Sequence, residues 1–213
     1  MWSRRVVGLG LLALLPAGCD RFGTAAERRA RGPAYPSAEA AADRAIHNLV
    51  AFTNPRDFAA YGYKAFPDVP LSARGAALAM FEIGLDRLRD YVHGAPVEGL
   101  LSPTGETMYF VTVRGDVRSS VRVRRDLLGY RPAALGESEN AQALARYWQA
   151  GDFIVSTPGL GLIMLGRRRA DRLLFVPVYD NDYVRLKVGS EQPAALVVER
   201  MVPLARQANG LPG

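Results

Sequence analysis

Arginine dominates the side chains that could do recognition chemistry in this sequence. Of 27 basic residues only Lys64 and Lys187 are lysine, which leaves 25 arginines. Arg118, Arg122 and Arg124 fall at even spacings in a stretch where valine alternates with polar residues, so a strand would carry them on one face. Arg125 extends the group. A second cluster, Arg167, Arg168 and Arg169 with Arg172, falls at an expected turn. A guanidinium fork holds a carboxylate or phosphate through two parallel hydrogen bonds. Both clusters are therefore candidate sites for an anionic partner. The competing reading is a solvated outer sheet face, where arginine also discourages edge-to-edge pairing.

Phe58, Tyr61, Tyr63 and Phe66 form a short aromatic segment, a candidate pocket wall or interface for a peptide, glycan or lipid. Tyrosine suits such a place because it joins a large apolar body to a polar tip. Packing between helices is the plainer alternative.

Proton-carrying and nucleophilic groups are sparse. His47 and His93 belong to no HExxH or Cys/His spacing, and there is no phosphate-cradling GxxxxGK[ST] loop. A GxSxG elbow is absent as well. Glu82, Asp86, Glu137 and Glu139 could do acid–base work, but spacing pairs none of them. Asp180-Asn181-Asp182 offers oxygens without the twelve-residue ligand pattern of an EF-hand, and reads as a tight turn. No catalytic residue, metal site or cofactor is assigned, and the expectation is a non-enzymatic protein.

Cys19 is the sole cysteine. Ahead of it stand a basic start with Arg4 and Arg5, an apolar run from Val6 to Leu15, and Pro16-Ala17-Gly18. These are the parts of an export signal, and the apolar run is too short to cross roughly 30 Å of hydrocarbon. The segment resembles the signal peptide and lipobox of bacterial lipoproteins. Ala17 and Gly18 match the small residues before the family's cysteine, whereas Pro16 stands where an aliphatic residue is usual. The resemblance implies cleavage before Cys19 and acylation of its thiol. Asp20 resembles the signal that retains such proteins at the inner membrane, facing the periplasm; the outer membrane is the alternative. Two or more acyl chains hold a protein durably to a bilayer.

The expected organisation is a signal peptide over 1–18, a lipidated cysteine and tether over 19–36, and one globular domain over 37–213. Removing Arg4 and Arg5 leaves 25 basic against 21 acidic residues, so the 195-residue remainder carries +4 where the whole chain carries +6. Such a surface attracts anionic headgroups or polymers. No nucleic-acid motif is present, so the expected partners are the bilayer, through acylated Cys19, and an envelope protein.

Spacing predicts helices over 37–52, 72–92, 138–150 and 193–208. Ser37 supplies a cap for the first. Tyr109, Val111 and Val113, then Val117, Val121 and Val123, predict a hairpin turning at Arg114-Gly115-Asp116. Further strands are expected over 153–156 or 160–165, then 173–179 and 183–188. The class is α+β: an antiparallel sheet of about five or six strands packed by helices, by analogy NTF2-like or cystatin-like. The function expected is that of a membrane-anchored accessory or binding component of an envelope, secretion or transport assembly. Carriage or sensing of a small amphipathic or anionic ligand is the alternative.

Overall fold

A computed structural model describes residues 33–208; Cys19, its flanking signal and most of the expected tether lie outside the described residues. Helix α1 (Ala38–Phe52) begins where its sequence predicts, with the Ser37 hydroxyl accepting the Ala40 N–H at 3.1 Å. Ala41, Ala42, Ala45, Ile46 and Leu49 form its buried stripe. Two 3-10 turns follow, Phe58–Tyr61 and Phe66–Leu71. Gly62 lies between them with φ +85°, and a Cβ there would collide with the carbonyl oxygen of Arg118. Only glycine fits that close approach of two backbones.

The segment 72–92 corrects a prediction. It forms strand β1 (Ser72–Glu82) and a five-residue helix α2 (Leu85–Arg89), not one long helix. Strand β2 (Ser102–Val113) pairs along one edge of β1, and β5 (Phe153–Thr157) pairs with its last three residues, Met80 to Glu82, on the other. The sheet thus takes up backbone groups that a helix would have paired internally. Leu78 and Phe81, which fit a helical stripe, serve opposite faces of the strand. Leu78 packs in one core, and Phe81 meets Phe153 edge-on at 5.0 Å.

The hairpin of β2 and β3 (Asp116–Asp126) turns at Arg114 and Gly115, both at positive φ, as its sequence predicts. β4 (Gly129–Leu135), unanticipated in the sequence reading, pairs with β3. Its Pro132 suits an edge strand. Helix α3 (Ser138–Tyr147) then crosses to β5, β6 (Leu162–Arg169), β7 (Arg172–Pro177) and the two-residue β8 (Gln192–Pro193). The segment 183–188 is a loop rather than a strand, fastened by the Asn181–Leu186 bridge with Val184 and Leu186 buried. Helix α4 (Ala194–Gln207) closes the chain, as predicted.

The class is α+β, but the sheet has eight strands in the order β4-β3-β2-β1-β5-β6-β7-β8 and is mixed rather than antiparallel. Two antiparallel meanders meet at the parallel pair β1·β5. Side-chain alternation then sorts the helices. Tyr109, Val111, Val121 and Val123 face α1, whereas Met108, Phe110, Ile154, Leu165 and Val176 face α3. Val155, Met164 and Phe175 return to the α1 side, under α4 and α2. Gly166 lets the Phe153 ring lie across β6, where a Cβ would strike it. Among the described residues no helix is long and apolar enough to cross a membrane.

Candidate functional site

Antiparallel pairing of β1 with β2 and of β2 with β3, and parallel pairing of β1 with β5, bring four strand segments to one end of the sheet. These are the last residues of β1 and β5, the first of β2 and the second half of β3. They bound a cleft of about 660 Å³, with the start of α2 as its far wall. A volume of roughly 300–1,000 Å³ is typical of ligand sites. The lining carries Glu82, Asp86 and Glu106 against Arg87, Arg122 and Arg124, with Met80, Pro103 and Pro158 between them.

Glu106 organises this cleft. It is 9% exposed, on the inward face that it shares with Met108 and Phe110. Arg124 donates to Oε1 through Nε at 2.8 Å and through Nη2, while Arg122 Nη1 donates to Oε2 at 3.2 Å. Arg122 Nη2 also reaches Glu137 Oε1 at 2.7 Å. The Thr104 hydroxyl accepts the Glu106 N–H at 3.1 Å and donates to the Met80 carbonyl at 3.0 Å, fixing the start of β2. Some capacity is unspent. Arg122 Nε is buried with no acceptor, and Glu82 has no ion-pair partner, among the described residues. Arg87 donates to the Gly99 carbonyl at 3.0 Å and is otherwise exposed. The cleft thus offers both carboxylate oxygens and guanidinium donors, a pattern suited to a segment that itself carries both signs.

The two arginine clusters of the sequence fare differently. Arg122 and Arg124 do share a face and meet at Glu106. Arg118 is the extra residue of a β-bulge and pairs with Asp116 at 2.8 Å instead. Arg167, Arg168 and Arg169 do not form one anion site. Arg167 is 5% exposed and spent inside the protein. It grips Asp152 through Nε at 2.9 Å and Nη2 at 2.6 Å, reaches Glu191 at 2.6 Å, and donates to the Tyr147 carbonyl at 2.7 Å. The two carboxylates hold its proton more firmly than an ordinary guanidinium holds one. Arg169 shares Glu191 at 2.7 Å, and Arg168 stands 4.0 Å from Glu98.

The aromatic segment divides as well. Tyr63 is buried with Val69 and Val113, its hydroxyl 2.6 Å from that of Ser72, and burial raises its pKa. Tyr61 packs beside the α1 core and against Gly136, while the Phe58 and Phe66 rings meet at a 58° tilt with centroids 6.5 Å apart. None of the four lines the cleft. His47 is exposed on α1, and His93 Nδ1 lies 2.8 Å from Glu199. Asp180 accepts the Val188 N–H at 2.8 Å, and Asp182 faces Lys187 at 3.7 Å. Among the described residues no three His, Cys, Asp or Glu side chains gather as metal ligands. Of the acidic residues singled out in the sequence, Glu82 and Asp86 line the cleft and Glu137 reaches it through Arg122, while Glu139 stays in the first turn of α3. No family model, curated protein or solved structure matches the chain.

Proposed function

We propose that this chain is a lipoprotein held at the inner membrane and facing the periplasm, whose domain is a non-enzymatic binding component of an envelope, secretion or transport assembly. The lipobox-like segment ending at Cys19 supports the address. The mixed-charge cleft around Glu106 supports the binding role, and it is the observation that carries the reading. Two of its three hydroxyls are committed to the backbone: Thr104 donates to the Met80 carbonyl and Ser156 to the Phe81 carbonyl at 3.4 Å. Guanidinium and carboxylate groups line this cleft of about 660 Å³, and charge complementarity of that kind fixes register and partner choice.

Mass spectrometry of membrane-extracted protein tests the address, with acyl mass at Cys19 expected. A pull-down from solubilised membranes tests the role. The intact protein should retain a protein partner that Arg87→Glu together with Arg124→Glu loses at least tenfold. Repeated recovery of no partner overturns the reading.

Carriage of a small anionic ligand is favoured by one observation, the acceptor-free Nε of Arg122 within the cleft lining. Native mass spectrometry separates the two, because a carrier retains a small mass that Arg122→Gln releases.

A further inference from the structure

The turn between β3 and β4 exposes two adjacent leucines. Leu127 is 84% exposed and Leu128 58% among the described residues. The turn is nevertheless well built. Asp126 pairs with Gly129 across it, and the Asp126 carboxylate accepts the Leu128 N–H at 2.8 Å. Two large apolar side chains held at a rigid tip are costly in water unless something covers them.

Three observations name what covers them. First, the chain enters the domain beside this tip. The Tyr35 N–H donates to the Tyr130 carbonyl at 2.7 Å and the reverse bond is 2.9 Å. The same stretch lies so close to Gly129 that a Cβ there would meet the Tyr35 carbonyl oxygen at 2.6 Å and the Ala34 methyl at 3.6 Å. Residues 20–33 alone separate Ala34 from Cys19. Fourteen residues reach at most about 50 Å, so an anchor at Cys19 keeps this corner near the bilayer. Second, cations flank the leucines. Arg125 lies over the Tyr130 ring at 5.9 Å and has no carboxylate partner among the described residues, and Arg124 is 63% exposed along its side chain. Third, the connecting segment holds Arg21, Arg28, Arg29 and Arg31 against Asp20 and Glu27, a surplus of two positive charges. Apolar side chains flanked by arginines suit the boundary between acyl chains and anionic headgroups.

We infer that the β3–β4 tip is a second membrane contact, with Leu127 and Leu128 entering the acyl boundary and Arg125 among anionic headgroups. This contact rests on the anchored reading above and adds to it an orientation. The tip and the Glu106 cleft share Arg124, so a docked tip sets the mouth of the cleft close to the membrane surface.

The test places a fluorophore at the tip. The full chain carrying Leu128→Trp is reconstituted into phosphatidylglycerol vesicles whose acyl chains bear nitroxide quenchers. The unsubstituted chain gives the background of its own tryptophans. Emission of the added tryptophan should shift to the blue and fall at least twofold, and Leu127→Asp or Arg125→Glu should reverse much of that loss. Phosphatidylcholine vesicles should give weaker quenching. A second readout needs no substitution: these vesicles should slow tryptic cleavage after Arg125 several-fold. An anchored chain with an unquenched tip and unprotected Arg125 overturns the contact while leaving the anchor intact. Quenching in a chain without acyl mass at Cys19 overturns the anchor and keeps the contact.

Discussion

Arg167 and the pair Arg122–Arg124 are the same side chain put to two uses. Arg167 is sealed between β6, the Asp152 loop, the end of α3 and Glu191, with four hydrogen bonds accounting for most of its donors. One of its acceptors, the Tyr147 carbonyl, belongs to the last turn of α3, where backbone acceptors lack partners within the helix. Arg122 and Arg124 also close on a buried carboxylate, but their outer edges open into the cleft. Burial and the number of partners separate a structural clamp from a recognition surface. Local arginine density does not.

The comparison breaks first at the clamp. Arg167→Ala strands the carboxylate of Asp152, whose side chain is 2% exposed. Removing one member of a buried pair costs about 3–5 kcal/mol. Urea unfolding should show that loss, and Arg167→Met with Asp152→Leu should recover much of it because no charge is left buried alone. A loss below about 1 kcal/mol in Arg167→Ala would place Arg167 with the surface arginines and erase the contrast.

Glu106→Gln should fall in the middle. It keeps the volume and some hydrogen bonding, while Arg122 retains Glu137. A cost of about 1–2 kcal/mol is expected for hydrogen bonds lost to a charged, partly buried group. Partner capture should weaken further than stability, since the geometry of both arginines depends on this carboxylate.

Tyr63 sharpens the contrast along pH. Burial raises its pKa above 10.0, so the folded state keeps the phenol proton after the unfolded chain has released it. The stability this contributes is complete below pH 10 and is lost as pH rises through the folded pKa. Unfolding measured from pH 9 to 11 should steepen with alkali, and Tyr63→Phe should flatten the curve. The Arg167 clamp should not respond in that window.

How much of this could be read beforehand depends on the range of the cause. The Ser37 cap and the alanine stripe of α1 act within a few residues, and the helix lies where its sequence predicts. The nature of β1 is set by β2 and by β5, the latter some seventy residues later, so its alanines and chance helical spacing pointed elsewhere. The cleft was half legible. Evenly spaced arginines correctly placed Arg122 and Arg124 together, but Glu106 was missed. Its inward position follows from its period-two spacing with Met108 and Phe110. Counting back from Val113 opposite Asp116 would set it against Val123, and the bulge at Val111–Thr112 moves it to face Arg124. The same bulge removes Arg118 from the group. A one-residue slip decides which charges meet, and no local pattern marked that bulge.

The smallest stability effect should carry the largest functional one. Arg124 is 63% exposed along its side chain, and its buried partner Glu106 keeps Arg122, so losing this pair costs about 1 kcal/mol rather than the roughly 3–5 kcal/mol of a fully sealed pair. Arg124→Ala should therefore lower the unfolding free energy by only about 1 kcal/mol while reducing partner capture several-fold. Salt should mimic it. Raising ionic strength from 0.05 to 0.5 M shortens the screening length from about 14 to about 4 Å, which weakens the open cleft and leaves the sealed Arg167 pairs in place. Capture should fall across that range with little change in unfolding free energy. If both fall together, the cleft arginines are holding the fold, and the division between clamp and recognition surface fails at Glu106.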